Sequence, residues 1–252
     1  MKYSFKQVKE SFNVKADIAS FSFCFFLRPL SFYVTAFMLI FNLRPNQASI
    51  ISLFLGVISM AFFCVGQHGF FILGVLFYFL YVIFDCVDGN IARVTDSATY
   101  YGKFLDGAIG ALIESVLPFF VAAGFYFAGH GLSFLFIGIG VSISMQFALM
   151  VINRIAFLNR WIKLEEDDKR DSSVLNPLKS SRFPIKKVGN VLRDVKNVSL
   201  FVAAIIGMNT VLLTGFLASI LIWALVLIVT TTSDAARYLN VHRRSRWDTR
   251  RI

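Results

Sequence analysis

Six long apolar stretches constrain this chain more than any other feature in it. A helix that crosses the hydrocarbon core of a bilayer needs about 20 mostly apolar residues. Stretches over 46–66, 69–91, 101–128, 131–157, 192–209 and 211–235 meet or approach that length. Turn residues separate several of them: Gly66-Gln67-His68-Gly69, Gly129-His130-Gly131 and Met208-Asn209-Thr210. The strongly apolar part of the fifth stretch, Val198 to Met208, is short, so that helix has to begin in the more polar run before it. Composition agrees with a bilayer, since 57% of the 252 residues are hydrophobic and only 16% are charged. A soluble domain carries about 25% charged residues.

The run Pro29–Leu43 is apolar but too short to cross comfortably. It follows Arg28 and ends at Arg44-Pro45, which suits a helix lying along the headgroups; a buried half-helix is the alternative. The expected fold is therefore all-α and integral to the membrane, with six transmembrane helices plus an N-terminal interfacial amphipathic helix. It forms a single membrane domain over 1–252: an arm and interfacial helix (1–45), helices 1–4 (46–157), a cytoplasmic loop (158–196), then helices 5–6 with a basic tail (197–252). No cleavable signal peptide is expected, because Met1–Lys15 carries four lysines and no apolar core.

Lysine and arginine test the helix count. All 25 basic residues fall in the N-terminal arm, the turn after the second span, the long loop after the fourth, and the tail. The three turns on the opposite side have none. This is the asymmetry of a multi-pass protein in a plasma, inner or other cellular membrane, with both termini cytoplasmic. The net charge of +10 is thus accounted for by topology and by attraction to anionic membrane lipids, and nucleic acid is not an expected partner. Cys24, Cys64 and Cys86 sit in apolar runs without paired spacing, and the three histidines lie on opposite sides of the membrane. Neither set suggests a zinc site or a disulfide frame.

Acids inside the spans are the exception that needs explaining, because a charge near the bilayer centre costs at least about 2.5–3.5 kcal/mol. On a helix, Asp85, Asp88, Gly89 and Ala92 share one face. On the next, Gly102, Asp106, Gly110 and Glu114 are each four residues apart and form one stripe. The short connection 94–100 lets these stripes face each other near the cytoplasmic surface. Ligands that are all oxygen suit a hard cation such as Mg²⁺, Mn²⁺ or Ca²⁺, and two such ions can clamp a diphosphate. The alternative is that the acids pair with Arg93 and Lys103 at the water boundary.

The run Asp85-Cys-Val-Asp88-Gly89-Asn-Ile-Ala92-Arg93, then eight residues, then Gly102-Lys-Phe-Leu-Asp106, resembles the signature of the CDP-alcohol phosphotransferases, D-x-x-D-G-x-x-A-R followed by G-x-x-x-D-x-x-x-D. Seven of the eight fixed positions match at the family's spacing. Arg28-Pro29-Leu30-Ser31 and Pro45-Asn46-Gln47 look like its lead-in. The resemblance implies a membrane transferase that moves a phosphoalcohol, phosphatidyl or polyol phosphate, from a CDP-linked alcohol or lipid donor to an acceptor alcohol, with release of CMP. By position it implies Asp85, Asp88 and Asp106 as ligands of a two-metal Mg²⁺ or Mn²⁺ site, Asp85 facing substrate as well, and Gly89 and Ala92 as room for the cytidine. Arg93 would support the nucleotide, Gly102 would allow close approach of helices, and Asn46 would lie near the nucleotide. Symmetric dimers occur in the family, so a homodimer is compatible with it.

The eighth position is Gly110, where the pattern has an aspartate that serves as metal ligand and general base. Glycine can do neither; Glu114, the next acid on the stripe, is the candidate to replace it, although it sits one turn deeper, about 6 Å along the axis. Two further readings follow. One is a catalytically impaired relative that binds CDP-ligands and metal, or a membrane scaffold. The other is a transporter, which the position of the acids near one surface disfavours. Arg154, at the cytoplasmic end of the fourth span, is a candidate for an acceptor phosphate.

Overall fold

A computed structural model describes residues 8–9, 23–167, 197–207 and 210–248. Beyond the helical pair 8–9, the described residues form seven helices and no strand. These are α1 (Phe23–Ile40), α2 (Pro45–Cys64), α3 (His68–Val94), α4 (Tyr100–Phe127), α5 (Leu132–Asp167), α6 (Asn197–Ile206) and α7 (Thr210–Asp248). Five of them have a part long and apolar enough to cross a membrane: α2, α3, α4, Leu132–Arg154 of α5 and Thr210–Thr230 of α7. The expected all-α multi-pass architecture is the one observed.

Local chemistry marks the helix ends. Pro45 opens α2 at the position where a missing N–H costs nothing, and the Arg44 N–H donates to Gln47 Oε1 at 2.9 Å. Thr99 caps α4, its Oγ1 accepting from the Gly102 N–H at 3.0 Å. Gly66 turns the chain between α2 and α3 with φ of +75°, a conformation open to glycine without strain.

Three elements differ from expectation. The stretch 192–209 is described only from Asn197, and the ten helical residues of α6 span about 15 Å; residues 192–196 lie outside the described residues. Helix α5 continues past 157 to Asp167, and α7 past 235 to Asp248, where a loop and a tail were expected. Leaving lipid ends the need for apolar residues but not the helical preference of Leu, Lys, Glu and Arg. Finally, α1 starts at Phe23 and carries Pro29 inside it. Its Phe32 and Leu39 pack on Ile83, Val87 and Ile91 of α3, and on Ala48 of α2. Leu30, Tyr33, Phe37 and Ile40 stay exposed.

Helix α2 lies along both α3 and α4, which scarcely touch each other; α5 packs on α4, α7 on α5 and α1 on α3. One core runs through the bundle and includes Phe63, Tyr78, Ile113, Leu117, Leu200 and Phe216. The tightest point is the crossing of α2 and α4, where a Cβ added at Gly124 would collide with the backbone carbonyl of Phe63. Gly124→Ala is therefore expected to destabilise the fold by about 1–3 kcal/mol, the usual cost of overpacking. Gly140→Ala, which meets nothing within 4 Å, should be neutral or slightly stabilising. Thermal unfolding in detergent compares the two, and equal midpoints would contradict the close crossing.

Candidate functional site

At the other end of the bundle the same helices frame a cavity of about 200 Å³. Its walls are the first turns of α2, the last turns of α3, the 95–99 turn and the first turns of α4. Length places it near the edge of the spanning region. Measured from His68 at 1.5 Å per residue, Asp85 and Asp88 lie roughly 26 and 30 Å along α3. Asp106 lies roughly 9 Å from the start of the antiparallel α4.

The structure brings most of the expected residues together here. Asp88, Gly89, Ala92 and Arg93 line the α3 side, Gly102 and Asp106 the α4 side, and Asn46 the α2 side. Asp88 is buried, and its Oδ2 accepts from Ser49 Oγ at 2.5 Å. Asp85 sits one turn deeper, outside the cavity lining, with its side chain within hydrogen-bonding reach of Asp106. Two carboxyl groups at that separation must share a proton or have a cation between them. The strongest charged influences on Asp85 are Asp106, Asp88 and Glu114, all acidic. Arg93 acts on Asp88, while Asp85 and Asp106 face each other.

The glycines have separate geometric roles. A Cβ at Gly102 would lie 3.0 Å from Asn46 Oδ1 and 3.2 Å from Thr99 Oγ1, so this position does permit the close approach of α4 to α2. A Cβ at Gly89 would lie 3.4 Å from Arg93 Nη1, so the guanidinium lies against the backbone of its own helix. Gly110 is different. Half-buried, it has no heavy atom beyond its own helical turn within 4 Å of where a Cβ would stand.

Glu114 is tied elsewhere. It accepts from the Tyr78 hydroxyl at 3.1 Å, and that hydroxyl also lies 3.2 Å from Asn197 Oδ1 of α6. It is a bridge among α3, α4 and α6 as well as a neighbour of Asp85. Arg154 is exposed and outside the cavity lining, with its guanidinium 5.7 Å above the Phe157 ring.

Ser49, Asn90 and Tyr81 were not singled out from the sequence. Ser49 belongs to a buried stripe of α2, Ser49, Ser52, Gly56 and Ser59, whose spacing of three or four residues was a usable signal. Tyr81 is buried one turn below Asp85 and within electrostatic range of Asp85, Asp106 and Glu114. It continues the polar face Tyr78, Tyr81, Asp85, Asp88 of α3.

Among the described residues, no group of three His, Cys, Asp or Glu side chains converges as a ready metal cage. Asp88 is turned to Ser49, while Asp85 and Asp106 turn to each other. The donor chemistry nevertheless fits a hard divalent cation: the candidate donors Asp85, Asp88 and Asp106 are all oxygen, they come from neighbouring turns of two helices, and the strongest charged influences on Asp85 are acidic.

A family model described as CDP-alcohol phosphatidyltransferase matches residues 41–230, which takes in every wall of the cavity. No curated protein matches the chain significantly.

Proposed function

The chain belongs to the CDP-alcohol phosphatidyltransferase family, and from that membership we propose that it moves a phosphoalcohol from a CDP-linked donor to an acceptor alcohol at this cavity. The observation that carries the proposal is an acid cluster with acidic neighbours opening beside two cavity-lining cations, Arg93 and Lys103. Such a site suits an anion that arrives with divalent metal. Phospholipid or other polar-headgroup synthesis is the process this serves. The positive-inside asymmetry of the basic residues favours a cavity and termini that face the cytoplasm.

Asp85, Asp88 and Asp106 would hold Mg²⁺ or Mn²⁺, which when bound neutralises a diphosphate and stabilises charge on the leaving phosphate. The other tasks belong to the chain. Arg93 and Lys103 attract the donor phosphates, and Asn46 offers an amide donor and acceptor to the base. Gly89 and Ala92 keep the flank of α3 low enough for the nucleotide to lie against it. Holding donor and acceptor in line supplies much of the rate. The acceptor oxygen forms a bond to the β-phosphorus as the bond to the bridging oxygen breaks. That oxygen's electron pair leaves with CMP, and the hydroxyl proton passes to water, since Gly110 presents no carboxylate.

Gly110 favours a second reading, a relative that binds CDP-ligands and metal with little turnover. One experiment separates the two. Purified protein in detergent with Mn²⁺ and a panel of CDP-alcohols is assayed for CMP, with thermal stabilisation by CDP measured in parallel. Multiple turnover supports the transferase. Stabilisation without CMP supports the binder, and neither signal removes both.

A further inference from the structure

Among the described residues, the placement of Arg93 at the cavity is explained through a residue outside the eight-position motif. Its Nη2 donates to Asn90 Oδ1 at 2.7 Å. Asn90 is 1% exposed, and its Nδ2 donates to Ser31 Oγ at 3.1 Å and Thr35 Oγ1 at 3.2 Å. Both hydroxyls are fully buried on α1.

The direction of this chain is fixed by hydrogen-bond counting. Ser31 Oγ donates its only proton to the Arg28 carbonyl at 2.8 Å, and Thr35 Oγ1 donates its own to the Ser31 carbonyl at 2.7 Å. Each hydroxyl can then only accept from Asn90. The amide must turn its NH₂ end to α1, which leaves its oxygen facing Arg93. A flipped amide would set two acceptors against an acceptor and leave the guanidinium facing an NH₂ group. Resting on Arg93 as a donor-phosphate ligand, we propose that Asn90 is a positioning residue, anchored by Ser31 and Thr35, that holds the Arg93 guanidinium at the cavity wall. On this view α1 is part of the nucleotide-binding apparatus, although none of its residues lines the cavity.

The arrangement has a physical use. A free arginine loses rotamer entropy on binding a phosphate, and one whose guanidinium already rests on Gly89 and Asn90 loses less. A hydrogen bond from the charged group into a buried amide is among the stronger kinds. Its removal should cost about tenfold in affinity for the anion that Arg93 meets.

The test is CDP binding with Mn²⁺ to the full chain in detergent, by thermal shift and by equilibrium titration. The set is wild type, Asn90→Leu, Arg93→Ala and the double variant. Arg93→Ala should weaken CDP, Asn90→Leu should weaken it by about tenfold, and the double variant should be no weaker than Arg93→Ala alone. That non-additivity is what a merely structural role would not give. Should Asn90→Leu fail to fold, Ser31→Ala with Thr35→Val removes the anchors and should weaken CDP in the same direction. Full CDP affinity in Asn90→Leu or the anchor pair, with Arg93→Ala impaired, overturns the positioning role alone; so does an additive double variant. Full affinity in Arg93→Ala, or no CDP binding by wild type, overturns the parent reading and this one with it.

Discussion

Gly110→Asp is expected to raise CMP release by about 100-fold or more, the range over which a placed general base acts. Three observations set the direction. The position lies four residues from Asp106 on α4, on the stripe that faces the acid cluster. A Cβ there meets nothing within 4 Å beyond its own helical turn, so the side chain can start out from α4 without a steric clash. The one nearby candidate to replace it, Glu114, is a turn deeper and accepts from Tyr78. The same substitution carries a signature in stability. A further carboxylate beside Asp106, Asp85 and Asp88 adds like-charge repulsion, so the metal-free protein should melt lower than wild type. With Mn²⁺ it should melt higher, because the added ligand strengthens cation binding. An unchanged CMP rate together with an unchanged response to Mn²⁺ would show that position 110 does not face the reacting centre. A wild-type rate already equal to that of the variant would show that no side-chain base is needed there.

The spans and the acid face of α3 were legible because each depends on local periodicity. Apolar length marks a crossing, and positions 85, 88, 89 and 92 share a face wherever α3 packs. Partners across helices were not legible. Asp88 is held by Ser49, 39 residues away, and Asn90 by Ser31, 59 residues away; these pairs depend on which helices are neighbours. The short 94–100 connection suggested that α3 and α4 face each other directly. In the structure α2 lies along both, and α3 and α4 meet chiefly through side chains such as Asp85 and Asp106. Helix ends also escaped the sequence argument. At residues 157 and 235 the composition turns polar, which marks where lipid ends, while α5 and α7 run on. Gly110 was legible as an anomaly, but only coordinates show that the space beside it is open.

Asp106→Asn is expected to abolish Mn²⁺-dependent CDP binding, by about 100-fold or more, while leaving the metal-free protein as stable as wild type or more stable. The two signs follow from one contact. Asp106 shares hydrogen-bonding reach with Asp85, and an asparagine amide can donate to the Asp85 carboxylate without the shared proton that a second carboxylate needs. A charge-assisted hydrogen bond of this kind contributes about 1.5–3 kcal/mol, part of which is offset by the loss of solvation at the cavity wall. The same replacement removes a hard oxygen anion from a cluster whose chemistry suits a divalent cation. If Asp106 instead served the fold by pairing with Lys103 or Arg93 at the membrane surface, the signs would differ. Neutralising it would lower the melting temperature by a small amount and leave CDP binding nearly intact. Asp88→Asn supplies the internal control. Asp88 already has a donor in Ser49, and asparagine can still accept through its amide oxygen while removing one of the like charges around Asp85 and Asp106, so the metal-free protein should again be as stable as wild type or more stable while metal-dependent binding is lost. Unchanged or raised metal-free stability at both 106 and 88, with the same loss of binding, is what a ligand-directed acid cluster predicts. Lower stability at both positions with CDP binding retained would make the cluster a structural one.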